Sequence, residues 1–324
     1  MNAPLLSAAV TLGTRASALA RAQTAAVVEL LQASRPDTVC VVALIDTQGD
    51  RTQARGDPLP EIGGKGLFTL ELERALRDRE IDLAVHSFKD LPTEAEDDVV
   101  VGAVCLREDV RDCLVARDGL TLAQLPQRAV VGTSSLRREA QLRALRPDLE
   151  IRSIRGNVDT RVRKVRGREY DAAVLAASGI KRLGLEEAVT EWLAPETILP
   201  APGQGALAVQ CRAGDGLMLA LLAAIDDATA RATTTAERAF LRALGGGCAA
   251  PVAAHAEVIV GDEKPSDSLL QGGLRVCMEG LVASLDGGEV VRGRGEGEPE
   301  GLGERLAREA LAAGADRILN AIRG

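Results

Sequence analysis

Short β-rich runs alternate with helical stretches through roughly the first 220 residues, and this alternation limits the fold more than any other feature of the chain. Residues 8–12 predict a strand, 13–17 a loop, and an Ala-rich helix follows to about Ala33. Residues 38–46 (TVCVVALID) are almost continuously apolar, the pattern of a strand buried on both faces. Residues 47–66 are rich in Gly, Asp, Arg and Pro, too polar for a core element, and predict a mobile lid. A helix over 67–79 and a strand over 81–86 come next. The pattern then repeats in 113–116, 129–132, 135–146, 151–154, 158–165 and 172–176. Such alternation implies parallel sheets covered by helices, an α/β architecture. After about Ala224 the order changes. Two helices lead to LGGGC, then 252–260, 274–284 and 289–293 predict an antiparallel meander, closed by a helix from about Leu302. That is a smaller α+β domain.

Charge and rare residue types narrow the function. The net charge of −8 disfavours DNA, RNA and anionic membranes as partners. Aromatic residues are 2% of the chain, too few for the stacking platforms that bind single-stranded nucleic acid. Within this acidic chain, residues 137–168 hold eleven Lys/Arg against four Asp/Glu, an excess of +7. One concentrated basic segment suits a small polyanion better than a long one. Six cysteines without a Cys-x-x-Cys pair, and only His86 and His255, predict no metal site. Scattered thiols fit a reducing compartment. The first ten residues lack the basic region of a signal peptide, and no charge-free apolar run reaches bilayer-spanning length. The expectation is a cytoplasmic protein.

Four motifs place cations at the ends of predicted strands. VHSFKD (85–90) ends a strand, where open α/β sheets bind ligands, so Lys89 and Asp90 face a crevice. From this motif alone, an ordinary strand-to-loop junction with a surface ion pair is the commoner reading. GTSSLRR (132–138) runs from strand to helix start, with Ser134 and Ser135 as N-terminal donors beside Arg137 and Arg138. RGNVDTR (155–161) repeats that layout with Arg155 and Arg161, and Arg suits planar carboxylates. TRAS (14–17) and Arg182 in KRLGL add two more positions. Their recurrence implies a ligand with many carboxylates. GGKGLF (63–68) lacks Walker A spacing, which excludes a phosphate loop. GGGC (245–248) presents a cysteine on a turn, either as a buried thiol or as a nucleophile.

With TRAS, GGKGLF, VHSFKDLP, GTSSLRR, RGNVDTR, LPAPGQGA and LGGGCAAP in this order, the chain resembles the porphobilinogen deaminases (hydroxymethylbilane synthases) from about Val10 to Leu319. The resemblance implies two periplasmic-binding-protein-like α/β lobes with a cleft between them, plus a small C-terminal α+β domain. It places the first lobe at 1–104 and 206–223, the second at 105–205 and the third domain, carrying the cofactor cysteine, at 224–324. It implies a transferase of tetrapyrrole (porphyrin, heme) biosynthesis that joins four porphobilinogens head to tail with loss of ammonia, then releases hydroxymethylbilane by hydrolysis. A dipyrromethane cofactor is held by a thioether at Cys248, and Asp90 matches the catalytic carboxylate. Lys89, Ser134, Ser135, Arg137, Arg138 and Arg155 fall on cofactor-binding positions. Arg15, Ser17, Lys65, Phe68, Ser87, Arg161 and Arg182 fall on substrate-binding positions. The product would pass from a monomeric enzyme to uroporphyrinogen-III synthase. Three departures stand out: Glu61 where many relatives carry lysine, Ala249 in place of a polar residue, and a longer loop at 261–273. The competing reading is a two-lobed anion-binding protein without chemistry, which has no need of Asp90 or Cys248.

Overall fold

The computed structural model describes residues 9–49, 69–94, 97–246, 250–259 and 274–323. Lys65, Phe68, Glu61, Cys248, Ala249, the loop at 261–273 and most of the expected lid lie outside the described residues. The chain divides into two compact units, one of residues 1–107 with 206–228, the other of 108–205 with 229–324.

The first unit is built on a five-stranded sheet in the order β2-β1-β3-β10-β4. Strand β1 is Val10–Arg15, β2 Cys40–Ile45, β3 Leu83–Ser87, β4 Val99–Cys105 and β10 Leu207–Arg212. β1 pairs parallel with β2 and β3, whereas β10 runs antiparallel to β3 and β4. The sheet is therefore mixed, not wholly parallel, because the strand returning from the second unit enters it in reverse. Helix α1 (Ala18–Ser34) starts where Ser17 caps the Ala20 N–H at 3.3 Å and stops before Pro36. Val27 and Leu31 of this helix pack with Leu12, Leu83, Val85, Leu207 and Val209. Helix α2 spans Leu70–Arg77, shorter than the sequence pattern predicts. β2 corrects a second expectation. It is an edge strand with Val41, Val42 and Leu44 about half exposed, since a continuous apolar run does not say whether both edges find partners.

The second unit repeats the plan. Its five-stranded sheet has the order β7-β6-β8-β5-β9, with β5 Asp112–Ala116, β6 Val130–Gly132, β7 Glu150–Arg152, β8 Ala172–Ala176 and β9 Glu191–Leu193. β6 is parallel to β7 and β8, and β5 is antiparallel to β8 and β9. In both sheets the second, first and third strands of a β-α-β series lie parallel, followed by one reversed strand. Helices α3 (Leu136–Leu145), α4 (Val158–Arg166) and α5 (Ala177–Arg182) follow β6, β7 and β8. The parallel strands bring all three helix starts to one edge of the sheet.

The same unit contains a three-stranded antiparallel meander of β11 (Val252–Val258), β12 (Val276–Ala283) and β13 (Val290–Gly297). It packs on α7 (Ala228–Ala243), which follows α6 (Gly216–Ala223), and on α8 (Pro299–Ala310) and α9 (Asp316–Arg323). Phe240 is the largest side chain of that core. A smaller apolar group, Ala140 of α3 with Leu199, Ala253, Leu281 and Ala283, joins the meander to the helix that carries the paired arginines.

Candidate functional site

In the first unit, five expected residues sit at the carboxyl ends of parallel strands. Arg15 closes β1 half-buried, and Ser17 Oγ caps α1 as an acceptor. Ser87 closes β3 and accepts a hydrogen bond from Gln23 Nε2 at 2.8 Å. The chain then turns through one 3-10 turn, Phe88–Asp90, which buries Phe88, leaves Lys89 half-buried and exposes Asp90. This carboxylate, one turn beyond a strand end, lies where open α/β sheets bind ligands.

In the second unit, the ends of β6 and β7 are stitched together. Ser134 Oγ donates to the Ile154 carbonyl at 2.7 Å and lies 2.9 Å from Ser153 Oγ. Ser135 N–H donates to Thr133 Oγ1 at 3.1 Å. Neither Ser135, before α3, nor Asn157, before α4, caps its helix through its side chain, so both helix starts keep uncapped N–H groups and their partial positive charge. Arg155 stands half-buried between these ends and, among the described residues, has no hydrogen-bond or ion-pair partner. Arg161 Nε donates to the Gly156 carbonyl at 2.8 Å, closing the turn beside it. Arg182 lies at the far end of α5, away from the strand edge, and donates to the Gly205 carbonyl at 2.7 Å.

Arg137 and Arg138 are placed differently from the solvent-facing pair that a surface anion site suggests. They are 4% and 6% exposed, and both close on one carboxylate, Asp112, which is 0% exposed. Arg138 Nη2 donates to Asp112 Oδ1 at 2.8 Å, and Arg137 Nη2 lies 2.8 Å from Oδ2 as an ion pair. Nη1 of Arg137 reaches the Leu199 carbonyl at 2.6 Å, and Nη1 of Arg138 the Val174 carbonyl at 3.1 Å. Burial alone pushes the Asp112 carboxyl up. The two guanidinium groups outweigh it and hold Asp112 well below the usual carboxylate range. Two cations on one anion leave a buried excess of one positive charge. Nε of each arginine is buried without a hydrogen-bond acceptor among the described residues. An anionic group with several carboxylates fits this set: an unpaired Arg155, two orphaned Nε–H groups, an excess charge and two uncapped helix starts. Sequence reasoning missed Asp112 and Gln204. Asp112 heads an apolar strand like many polar residues, and the residues it holds are 25 to 92 positions away.

Fold and site together define an α/β protein with two sheets of one strand order and cations gathered at the carboxyl ends of their parallel strands. A family model described as the dipyromethane cofactor binding domain of porphobilinogen deaminase matches residues 10–220, and one for the C-terminal domain of that enzyme matches 231–312. Porphobilinogen deaminase of Roseiflexus castenholzii is 51% identical over 96% of this chain and 98% of its own. That of Mycobacterium tuberculosis is 47% identical over 97% and 99%, and that of Bacillus pumilus 42% identical over 97% of each. Among solved structures, the periplasmic aliphatic sulphonate binding protein of Escherichia coli aligns with a TM-score of 0.39 and 14% identity, over 74% of this chain and 70% of that one. The chain belongs to the porphobilinogen deaminase family.

Proposed function

We propose that this chain joins four porphobilinogen molecules head to tail with loss of ammonia and releases hydroxymethylbilane by hydrolysis, with Asp90 as the catalytic carboxylate. The observation that carries this reading is the placement of Asp90 and the cations at carboxyl ends of parallel strands, where the family's motifs fall one by one. Cys248 would hold the dipyrromethane as a thioether. When bound, that group supplies the pyrrole end to which the first substrate is joined. Ser134, Ser135, Arg137, Arg138, Arg155 and Lys89 would hold its carboxylates. Arg15, Ser17, Lys65, Phe68, Ser87, Arg161 and Arg182 would hold the incoming substrate and the lengthening product. Each porphobilinogen brings an acetate and a propionate, so the demand for cations grows with every addition, as the number of arginines accommodates.

Asp90 has the electrostatic task. As ammonia leaves porphobilinogen, positive charge spreads over the substrate's ring. A fixed carboxylate beside that ring favours the charged state over the neutral substrate, and only such a difference lowers a barrier.

The division into lobes at 1–104 with 206–223 and at 105–205, and a separate domain at 224–324, belongs to the same proposal. It is supported by the separate apolar core of the C-terminal meander. So do a monomeric state, residence in the cytoplasm and hand-over of product to uroporphyrinogen-III synthase. Five free thiols among the described residues favour a reducing compartment, and no helix among those residues is long and apolar enough to cross a membrane.

Asp90→Asn tests the mechanism, because it keeps size and an acceptor while removing the charge. Turnover should fall about a hundredfold or more, on the order of 3 kcal/mol in the barrier. Single-turnover ammonia release should slow equally, with circular dichroism and cofactor content unchanged. Near-normal ammonia release would remove Asp90 from the chemistry.

A further inference from the structure

We propose that Asp112 positions the Arg137–Arg138 pair for a ligand carboxylate, held in place by Gln204, an inference that rests on the reading of this chain as a dipyrromethane-binding enzyme. Asp112 Oδ1 receives Arg138 Nη2 and Gln204 Nε2, each at 2.8 Å, and Oδ2 faces Arg137 Nη2 at 2.8 Å. Gln204 also donates to the Val110 carbonyl at 2.7 Å, so the carboxylate is tied to the segment before β10 as well as to helix α3. Gln141 completes the enclosure. It accepts from Leu199 N–H at 2.8 Å and donates to the Leu199 carbonyl at 3.1 Å, the acceptor that Arg137 also uses.

Three physical points separate a positioning role from plain packing. Adjacent guanidinium groups repel, and the described residues offer them one carboxylate, so Asp112 is what keeps them side by side in a buried place. A buried charged triad gains little stability over apolar residues of the same size, so stability alone does not account for it. Its surplus cation is a charge that a ligand carboxylate would complete. Finally, both Nε–H groups are left without acceptors, although the other guanidinium nitrogens are engaged. Asn at 112 would present an amide N–H to one of the two arginines, donor against donor, and release it.

The test uses the full chain, expressed and purified with whatever cofactor it assembles. Loading is read by intact mass. Positioning is read separately by nitrogen-15 NMR of the arginine Nε–H groups, assigned with Arg137→Lys and Arg138→Lys. Asp112→Asn should lower the holoprotein fraction at least fivefold and turn one slowly exchanging Nε–H into a fast one. Gln204→Leu, which keeps all three charges, should lower loading about twofold and shift both resonances. Full loading with unchanged Nε–H exchange in Asp112→Asn would overturn the proposal. If Asp112→Asn yields no folded protein, Gln204→Leu decides it, and normal loading with unmoved resonances there overturns it. A wild-type chain without dipyrromethane would defeat the functional reading instead. Nε–H exchange in the variants still decides for or against Asp112.

Discussion

At the scale of single residues, the fold changes the ionisation of His86. It lies on β3, 6% exposed, opposite Ala208 of β10, with Gln210 and the Arg15 charge as its polar surroundings. Burial lowers its pKa from 6.5 to about 4. A contact with Gln210 opposes this, and Arg15 adds to it. Its Nε2 finds no hydrogen bond of ordinary geometry. Because the folded pKa is the lower one, the unfolded chain takes up a proton first as pH falls. The contribution is complete above about 6.5 and is lost progressively toward pH 4. From neutral pH to about pH 4.5, this one group should cost about 2–3 kcal/mol of stability. Urea unfolding of wild type and His86→Gln across that range measures it: the variant should lose less stability on acidification by about that amount. Parallel curves for the two proteins would show that His86 is not held neutral.

At the scale of elements, one turn shows how the C-terminal meander meets the arginine-bearing helix. Gly287, in the β12–β13 hairpin, has φ +75°, and a Cβ there would lie 2.4 Å from Ala144 N and 2.7 Å from the Arg143 carbonyl carbon. Gly119 has nearly the same backbone, φ +72°, with open space around it. Alanine at either position meets the left-handed penalty of about 1–2 kcal/mol. Only at 287 must helix α3 or the hairpin also move. Gly287→Ala should therefore be destabilised by at least about 1 kcal/mol more than Gly119→Ala, read as the difference in thermal unfolding free energy. Equal losses would mean that the hairpin gives way freely. The elements themselves were largely legible in the sequence. Periodicity marks α1, α3, α4, β5, β6, β8 and the meander within a few residues, since each is decided by its own apolar pattern. Pairing is not local. The reversal of β10 against β3, and the edge position of β2, depend on partners far along the chain, so an apolar run alone misplaces them. The candidate site divides in the same way. Its strand-end cations are visible as motifs, whereas the turning inward of Arg137 and Arg138 depends on Asp112, an acid that looks like any polar residue at the head of a strand.

At the scale of the whole molecule, the cations proposed to bind carboxylates and the cysteine proposed for covalent attachment fall in different parts of the chain. The family model named for cofactor binding covers residues 10–220, which hold every strand-end cation, whereas Cys248 lies within the match to the C-terminal domain. The remaining thiols are poor substitutes for it. Cys105, Cys113 and Cys211 are buried, and burial pushes the Cys113 thiol up to about 12 and that of Cys211 up to about 11, so neither forms a thiolate at neutral pH. Cys40 is half-buried on an edge strand and also raised by burial. Cys277 is the exception: it is half-buried, with its Sγ 3.4 Å from Arg294 Nε. Cys248 as the proposed attachment point therefore rests on the family resemblance that the GGGC motif carries. Cys248→Ser should fold, since the three sheets and the apolar cores on them are built from other residues. Under denaturing conditions its intact mass should equal the bare polypeptide, while the wild type carries two pyrrole rings more. Weak, non-covalent retention by the arginines is compatible with that result, because denaturation strips it. A variant that keeps the full adduct after denaturation would place the thioether on another cysteine, and peptide mapping would then identify which.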